Sequence, residues 1–246
     1  MSVDTNLIKS PYKREKFNQQ QIEEIVQCTQ DPKYFIENFV WIQHPVKGRL
    51  KFDLFDFQRG LLDAYHNHRY SIALISRQMG KSTAAGAYLL WYAMYVPDQT
   101  ILIAAHKYSG AQEIMQRIRF AYELLPDHVR AGCTAYNKGS LEFDNGSRII
   151  AQATTENTGR GLSISLAYLD EFAFVRPSIA REFWTSLSPT LSTGGKCIIT
   201  STPNQDDDQF AQIWRQACNT TDEFGNEKEI GKNGFKSYSA DWKQHP

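Results

Sequence analysis

Apolar positions along this chain change period near residue 70, and the two halves predict different elements. Residues 1–18 are polar, with the cluster Tyr12-Lys13-Arg14-Glu15-Lys16, and read as a loose arm. Helical spacing begins at Ile22, Ile25 and Val26. A second helical stretch opens at Asp31-Pro32 and runs through Phe35, Phe39 and Val40, because aspartate caps a helix start and proline suits its first turn. Both helices are expected to pack on the main body. A third helix over residues 54–67 places Phe57, Leu61, Leu62 and Tyr65 on one side. It ends at His66-Asn67-His68, which read as polar helix-end residues rather than a nuclease signature.

From residue 70 short apolar runs alternate with longer helical patterns: strands at 71–75 and 100–105, helices at 81–95 and 109–125. That alternation implies βαβ units and a parallel sheet covered on both faces. Residues 141–143 and 148–151 flank Asp144-Asn145-Gly146, a hairpin signal because Asn and Gly tolerate positive φ, so a hairpin is expected to decorate the sheet. Buried strands follow at 164–169 and 196–200, separated by a helix starting near Pro177-Ser178. After Asp206-Asp207-Asp208, read as a solvated loop and helix start, a short helix carries Phe210, Ile213 and Trp214. The polar stretch 219–232 and a further apolar-alternating piece complete the chain.

Composition narrows the class. The 246 residues exceed the usual domain of about 100–200, yet one large α/β domain can absorb them. Hydrophobic residues at 41% and charged residues at 22% exclude collagen-like and wholly disordered chains. Lys+Arg 27 balance Asp+Glu 27, so no overall basic charge advertises nucleic acid or membrane, and any DNA contact must come from a local patch. No apolar run approaches the roughly 18 residues of a spanning helix, and the polar start lacks a signal peptide's apolar stretch, so the chain reads as cytosolic with no membrane partner. Cys28, Cys133, Cys197 and Cys218 form no C-x-x-C pair and read as buried or free thiols.

The chemistry centres on Ser76-Arg77-Gln78-Met79-Gly80-Lys81-Ser82-Thr83, directly after an apolar strand and directly before a helix. Backbone N–H groups and the positive helix end can cradle phosphates there, Lys81 adds a point charge, and the Ser82 hydroxyl can ligate Mg²⁺. The pattern G-x-x-x-x-G-K-[ST] asks for Gly at position 75, where this chain has Ile75. Downstream, Ile164-Ser165-Leu166-Ala167-Tyr168-Leu169-Asp170-Glu171 is an apolar strand ending in two carboxylates. Ligands sit at the carboxyl ends of parallel strands, so Asp170 would meet the metal beside Ser82 and Glu171 would polarise the attacking water. The competing reading makes Asp170-Glu171 a cap for the following helix. Asn137-Lys138-Gly139-Ser140 lacks the aspartate of a guanine reader, which disfavours GTP. Phe57-Gln58 is a candidate adenine reader, with the Gln58 amide on the base edge and an aromatic stacked on it; alternatively Gln58 is a helix-surface residue.

These residues resemble the ATPase domain of the large terminase subunit, the DNA-packaging motor of tailed double-stranded-DNA bacteriophages, in its myovirus-type branch. The resemblance rests on Phe57-Gln58-Arg59, the loop at 76–83, Ile103-Ala104-Ala105-His106-Lys107, residues 137–147, Arg160-Gly161, residues 168–174 and Thr200-Ser201-Thr202-Pro203-Asn204. An arginine near the start of a deviant phosphate loop characterises that family. The resemblance implies a RecA-like P-loop α/β fold of the additional-strand type, mainly a parallel sheet flanked by helices. Residues 1–53 would form an N-terminal arm and helical extension, and residues 54–246 the ATPase domain. It implies ATP and Mg²⁺ as cofactors, Lys81 and Ser82 on phosphate and metal, Asp170 ordering the metal, and Glu171 as the catalytic carboxylate. Thr200-Ser201-Thr202 would be the coupling motif that passes γ-phosphate loss to DNA movement. Arg77 would act on the transition state in cis, or Arg160 would reach a neighbouring subunit's nucleotide in trans. Implied partners are double-stranded DNA, the portal protein, the small terminase subunit and further copies in a ring on the procapsid, in the host cytoplasm. The family's RNase H-like nuclease domain has no room after Trp242-Lys243-Gln244-His245-Pro246, so a chain limited to the motor domain is expected.

Two other readings share these motifs. A superfamily-2-type helicase or translocase has the Gln reader, phosphate loop, Asp-Glu pair and Ser/Thr coupling motif, but needs two RecA-like domains. A nucleotide-gated assembly module would bind ATP without hydrolysing it, and Glu171 beside Asp170 speaks against that. Arg117, Arg119, Lys13 and Arg14 read as DNA-gripping candidates or as solvated faces.

Overall fold

The computed structural model describes residues 7–205 and 207–244. Two N-terminal helices, α1 (Gln19–Gln30) and α2 (Pro32–Phe39), precede a hairpin of β1 (Trp41–His44) and β2 (Gly48–Lys51). The body follows as α3 (Asp56–Asn67), β3 (Tyr70–Ile75), α4 (Lys81–Tyr95), β4 (Thr100–Ala105), α5 (Tyr108–Glu123), β5 (Cys133–Tyr136), β6 (Ser140–Phe143) and β7 (Arg148–Ala153). It continues through β8 (Leu166–Asp170), α6 (Pro177–Ser192), β9 (Lys196–Ser201), α7 (Gln209–Cys218) and β10 (Phe235–Ala240).

The described body strands form one sheet in the order β10-β3-β9-β8-β4-β7-β6-β5, parallel from β10 to β7 and antiparallel beyond. Strand β9 stands between β3, which feeds the phosphate loop, and β8, which ends in the carboxylates. The additional-strand arrangement expected from the sequence is therefore the one observed. Side chains alternate across the central strands: Leu166 and Tyr168 enter the core under α2, α3, α4 and α5, while Ala167 and Leu169 enter the core under α6 and α7. Such two-sided burial is why these strands read as continuous apolar runs.

Helix α4 is apolar around most of its circumference, burying Ala84 and Ala85 as well as Leu89, Leu90 and Trp91. It lies on the sheet with α3 and α5 beside it and α2 across it, leaving little of its surface for solvent. The Trp91 indole donates to the Cys28 carbonyl at 2.6 Å, tying α1 to that layer. Phe35, Ile36 and Phe39 join the same core, so both N-terminal helices pack on the body as their spacing predicts. Cys28, Cys133 and Cys197 are buried, Cys218 is exposed, and none is bridged. None of the described helices is long and apolar enough to cross a membrane.

Three expectations are corrected. The arm is anchored from residue 7 onward: Cys133 N–H donates to the Lys9 carbonyl at 3.0 Å, Lys9 Nζ to the Asp127 carbonyl at 2.6 Å, and Tyr12 N–H to Asp144 Oδ2 at 2.9 Å. Gly132 permits this approach, since a Cβ there would lie 2.7 Å from Pro11 Cα. Such pairing joins residues more than a hundred positions apart and leaves no local periodicity. Residues 1–6 of that arm lie outside the described residues. The β1–β2 hairpin was not expected, because its strands are four residues long and largely solvated, so they carry no alternation. The turn at Asp144-Asn145-Gly146 forms with Gly146 at φ +83, but its hairpin is integral rather than decorative, because β7 continues the parallel sheet beside β4. Asp208 is the helix start expected of it, capping α7 by accepting from Ala211 N–H at 2.7 Å, but it is buried rather than solvated, whereas Asp206 lies outside the described residues.

On the second face α6 is held through Ala180, Phe183, Leu187 and Leu191. Phe183→Ala removes a fully buried ring from that layer, and we expect it to lower the unfolding free energy by about 3–5 kcal/mol in urea titration.

Candidate active site

Parallel strands deliver their chemistry to one edge of the sheet, and register fixes which residues meet there. Asp170 pairs with Thr200 and with Ala105, Leu74 pairs with Ser201, and Ala240 pairs with Ile75. The loops after β3, β8 and β9 therefore leave from neighbouring points. Between β3 and α4 the loop turns through two left-handed residues, Gln78 at φ +63 and Gly80 at φ +72. Gly80 has a second reason to lack a side chain: a Cβ there would lie 2.7 Å from Gln58 Nε2. No side chain caps α4 at this end, so the N–H groups of its first turn point at the loop, with the positive end of the helix dipole behind them.

Across this loop Lys81 Nζ meets Glu171 Oε1 at 2.5 Å, with the lysine side chain 9% and the glutamate 29% exposed. The other carboxylate oxygen, Oε2, accepts from Thr202 N–H at 3.1 Å, Thr202 Oγ1 at 3.2 Å and Ser201 Oγ at 3.3 Å. Glu171 itself is left-handed at φ +50, which turns it out of the strand direction taken by Asp170. Burial pushes its carboxyl up, but Lys81 and the Thr202 donors outweigh that and hold it below the usual carboxylate range. The glutamate caps no helix with its side chain, so the competing capping reading is not realised.

Asp170 is 8% exposed. Its Oδ1 collects the Tyr168 hydroxyl at 2.9 Å, Thr200 Oγ1 at 3.0 Å and Ser82 Oγ at 3.4 Å. Burial raises its carboxyl pKa, opposed first by the Tyr168 hydrogen bond and then by Lys81. A serine hydroxyl beside a carboxylate is the hard-oxygen donor pair that suits Mg²⁺, which keeps waters and substrate phosphates as its remaining ligands. Among the described residues there is no cluster of three or more His, Cys, Asp or Glu that could hold a metal.

The structure thus brings together Lys81, Ser82, Asp170, Glu171, Thr200, Ser201 and Thr202. Ser76 and Thr83 flank the loop, and Met79 is buried beneath it. Gln58 is buried rather than on a helix surface: its Oε1 accepts from Phe55 N–H at 3.1 Å and its Nε2 donates to the Met79 carbonyl at 3.1 Å. Its amide holds the phosphate loop in place. Phe57 is a core residue stacked on Phe55 at 5.8 Å, and Phe55 is the ring of the two that reaches the surface. The Tyr238 hydroxyl fastens this turn by donating to the Phe57 carbonyl at 2.6 Å. Arg77 is exposed on the phosphate loop itself. Arg160 is exposed on the segment from Thr154, bonded to Ala105 at the site edge, to Ser165, bonded to Thr100 at the opposite edge. Neither guanidinium forms an ion pair with a described residue.

A cavity of about 450 Å³ opens on the α5 flank of α4, lined by Trp41, His44, Thr83, Arg117 and Phe120 among others. It shares only Thr83 with the loop and lies apart from the carboxylates. The sequence reading missed Tyr168, which it treated as part of an apolar run. The signal was its place two residues before Asp170, which puts both side chains on the same side of β8.

Comparison with known proteins gives a consistent neighbourhood. The family described as "Terminase large subunit, T4likevirus-type, N-terminal" matches residues 72–244. The Thermus phage P74-26 large terminase ATPase domain is similar at 21% identity with a TM-score of 0.59, over 78% of this chain and 83% of that one. The HK97 bacteriophage large terminase is similar at 21% identity with a TM-score of 0.66, over 79% of this chain and 42% of that one. A large terminase from a thermophilic bacteriophage, solved in complex with ATP-gamma-S, is similar at 12% identity with a TM-score of 0.54, over 78% of this chain and 46% of that one.

Gln58→Ala tests the loop anchor. Its loss leaves the Met79 carbonyl without its side-chain donor and the Phe55 N–H without its acceptor, and we expect about 1–3 kcal/mol of lost stability by thermal melting. Nucleotide affinity should fall with it, because the loop loses its support.

Proposed function

Since this chain belongs to the T4-like family of large terminase subunits, we propose that it binds ATP with Mg²⁺ on the 76–83 loop, hydrolyses it, and uses the cycle to move double-stranded DNA into a procapsid. The observation that supports this reading best is the contact of Lys81 with Glu171 across two loops, with Glu171 tied in turn to the β9 hydroxyls. The lysine that would bind phosphate and the carboxylate that would serve as general base are in contact, and the carboxylate is bonded to the segment that would transmit the result.

In this reading Lys81 exchanges Glu171 for the β- and γ-phosphates, and the N-terminal end of α4, which no side chain caps, takes the remaining phosphate charge. Ser82 and Asp170 would hold Mg²⁺, which supplies charge neutralisation on the phosphates. Released from Lys81, Glu171 orients and deprotonates the attacking water. Its Oε2 contacts with Ser201 and Thr202 make the glutamate's position and the β9 end interdependent, which suits a coupling motif of small hydroxyl side chains. Adenine would lie beside the Phe55-to-Gln58 turn, with Gln58 giving up one backbone partner to read it. Arg77, on the loop that holds phosphate, serves in cis. Arg160, on a segment leaving the site edge, serves a neighbouring copy in a ring. The portal protein, the small terminase subunit and a host-cytoplasmic setting belong to the same reading.

Glu171→Gln is expected to keep nucleotide binding while turnover falls about 10²–10⁴-fold in a phosphate-release assay; turnover near that of the wild type would remove the glutamate from its role. The arginines separate by concentration. Wild-type turnover per chain should rise as chains assemble, and Arg160→Ala should abolish that rise, whereas Arg77→Ala should depress turnover at every concentration, by up to about 10³-fold or more.

A further inference from the structure

Two buried hydroxyls, from Tyr168 and Thr200, meet at Asp170. Tyr168 and Thr200 lie on adjacent parallel strands, one turned toward the other across the β8–β9 ladder. The Tyr168 ring is fully buried, Thr200 is fully buried, and their oxygens are 3.0 Å apart. Both also lie within 3.0 Å of the same atom, Asp170 Oδ1. Each hydroxyl carries a single proton. With Asp170 ionised, both protons can go to Oδ1, and the carboxylate is then fixed from β8 and β9 at once.

An anionic aspartate this deeply buried is costly unless donors replace its lost water. Here the replacement converges on Oδ1, the oxygen that also receives the Ser82 hydroxyl at 3.4 Å. We propose that Tyr168 is a positioning residue for the metal-ordering carboxylate, and that with Thr200 it holds Asp170 in the rotamer the Mg²⁺·nucleotide complex requires. The proposal rests on the reading that Asp170 orders Mg²⁺. It also gives Thr200 a task distinct from its neighbours: Ser201 and Thr202 address Glu171, whereas Thr200 addresses Asp170. The three consecutive hydroxyls at and just past the end of β9 thus divide between the two carboxylates.

A nearby tyrosine supplies the control. Tyr65 is fully buried in the same core and its hydroxyl has no hydrogen-bond partner among the described residues. Removing an unpaired buried hydroxyl is close to neutral, so Tyr65→Phe repeats the chemical change in the same core without removing a hydrogen bond to Asp170.

The experiment is calorimetric titration of the full chain with ADP, with and without Mg²⁺, so that the metal-dependent gain in affinity is read without turnover. Tyr168→Phe and Thr200→Val are each expected to lower affinity for Mg²⁺·ADP about tenfold while leaving metal-free ADP binding unchanged, the size expected for one hydrogen bond to a charged group. Tyr65→Phe should leave both affinities as in the wild type. A structural effect alone would weaken the two equally, and that result, or an unchanged metal-dependent gain in both variants, overturns the proposal. Thr200→Val carries the test if Tyr168→Phe does not fold. Asp170→Asn checks the premise separately: it should abolish the gain, and a gain that survives there would overturn the metal assignment itself.

Discussion

The ion pair between Lys81 and Glu171 is the constraint around which this molecule is arranged. Two charges that leave water lose solvation that a single contact does not restore, so each must find further partners. Glu171 finds them in the Thr202 N–H and the hydroxyls of Ser201 and Thr202 at the end of β9. Lys81 lies at the start of a helix that is buried almost along its length, which fixes the backbone from which the ammonium reaches. The pair therefore requires three loops to leave one sheet edge in register, and the strand order with β9 between β3 and β8 supplies them.

Two of the four described non-glycine residues with positive φ belong to the same place. Gln78 and Glu171 are both left-handed, a conformation costing about 1–2 kcal/mol for a residue with a side chain. At Glu171 the turn separates the two consecutive carboxylates: Asp170 continues the strand and points back toward the core beneath α4, whereas Glu171 turns out toward the lysine. Adjacent residues in an extended strand would have faced opposite sides of the sheet. The strained turn instead lets both work at one site with different surroundings. Their carboxyl groups consequently shift in opposite directions, Asp170 up through burial and Glu171 down because Lys81 and Thr202 overcome its burial.

Gln58 shows how a buried motif residue can tie one element to another. Its amide spans from the first turn of α3 to the phosphate loop, and Gly80 is bare where that amide arrives. The loop is thereby held by an element that precedes the sheet, which links the N-terminal layer mechanically to the phosphate site. Buried amides of this kind are stable only with both ends satisfied, which here they are.

Local pattern was enough for the parallel core strands, the helices between them, the Asn145-Gly146 turn, the phosphate loop and the Asp170-Glu171 doublet. In each, the signal is a periodicity or turn chemistry spanning a few residues, and burial on both faces makes it strong. The sequence by itself did not determine the anchoring of Lys9 and Tyr12, the Trp41–Lys51 hairpin, the engagement of Gln58 with Met79, or the convergence of Tyr168 and Thr200 on Asp170. Those contacts join residues far apart in the chain or depend on which of two strand faces meets a neighbour. Only strand order and register decide that, because a one-residue slip would send every side chain to the other face of the sheet.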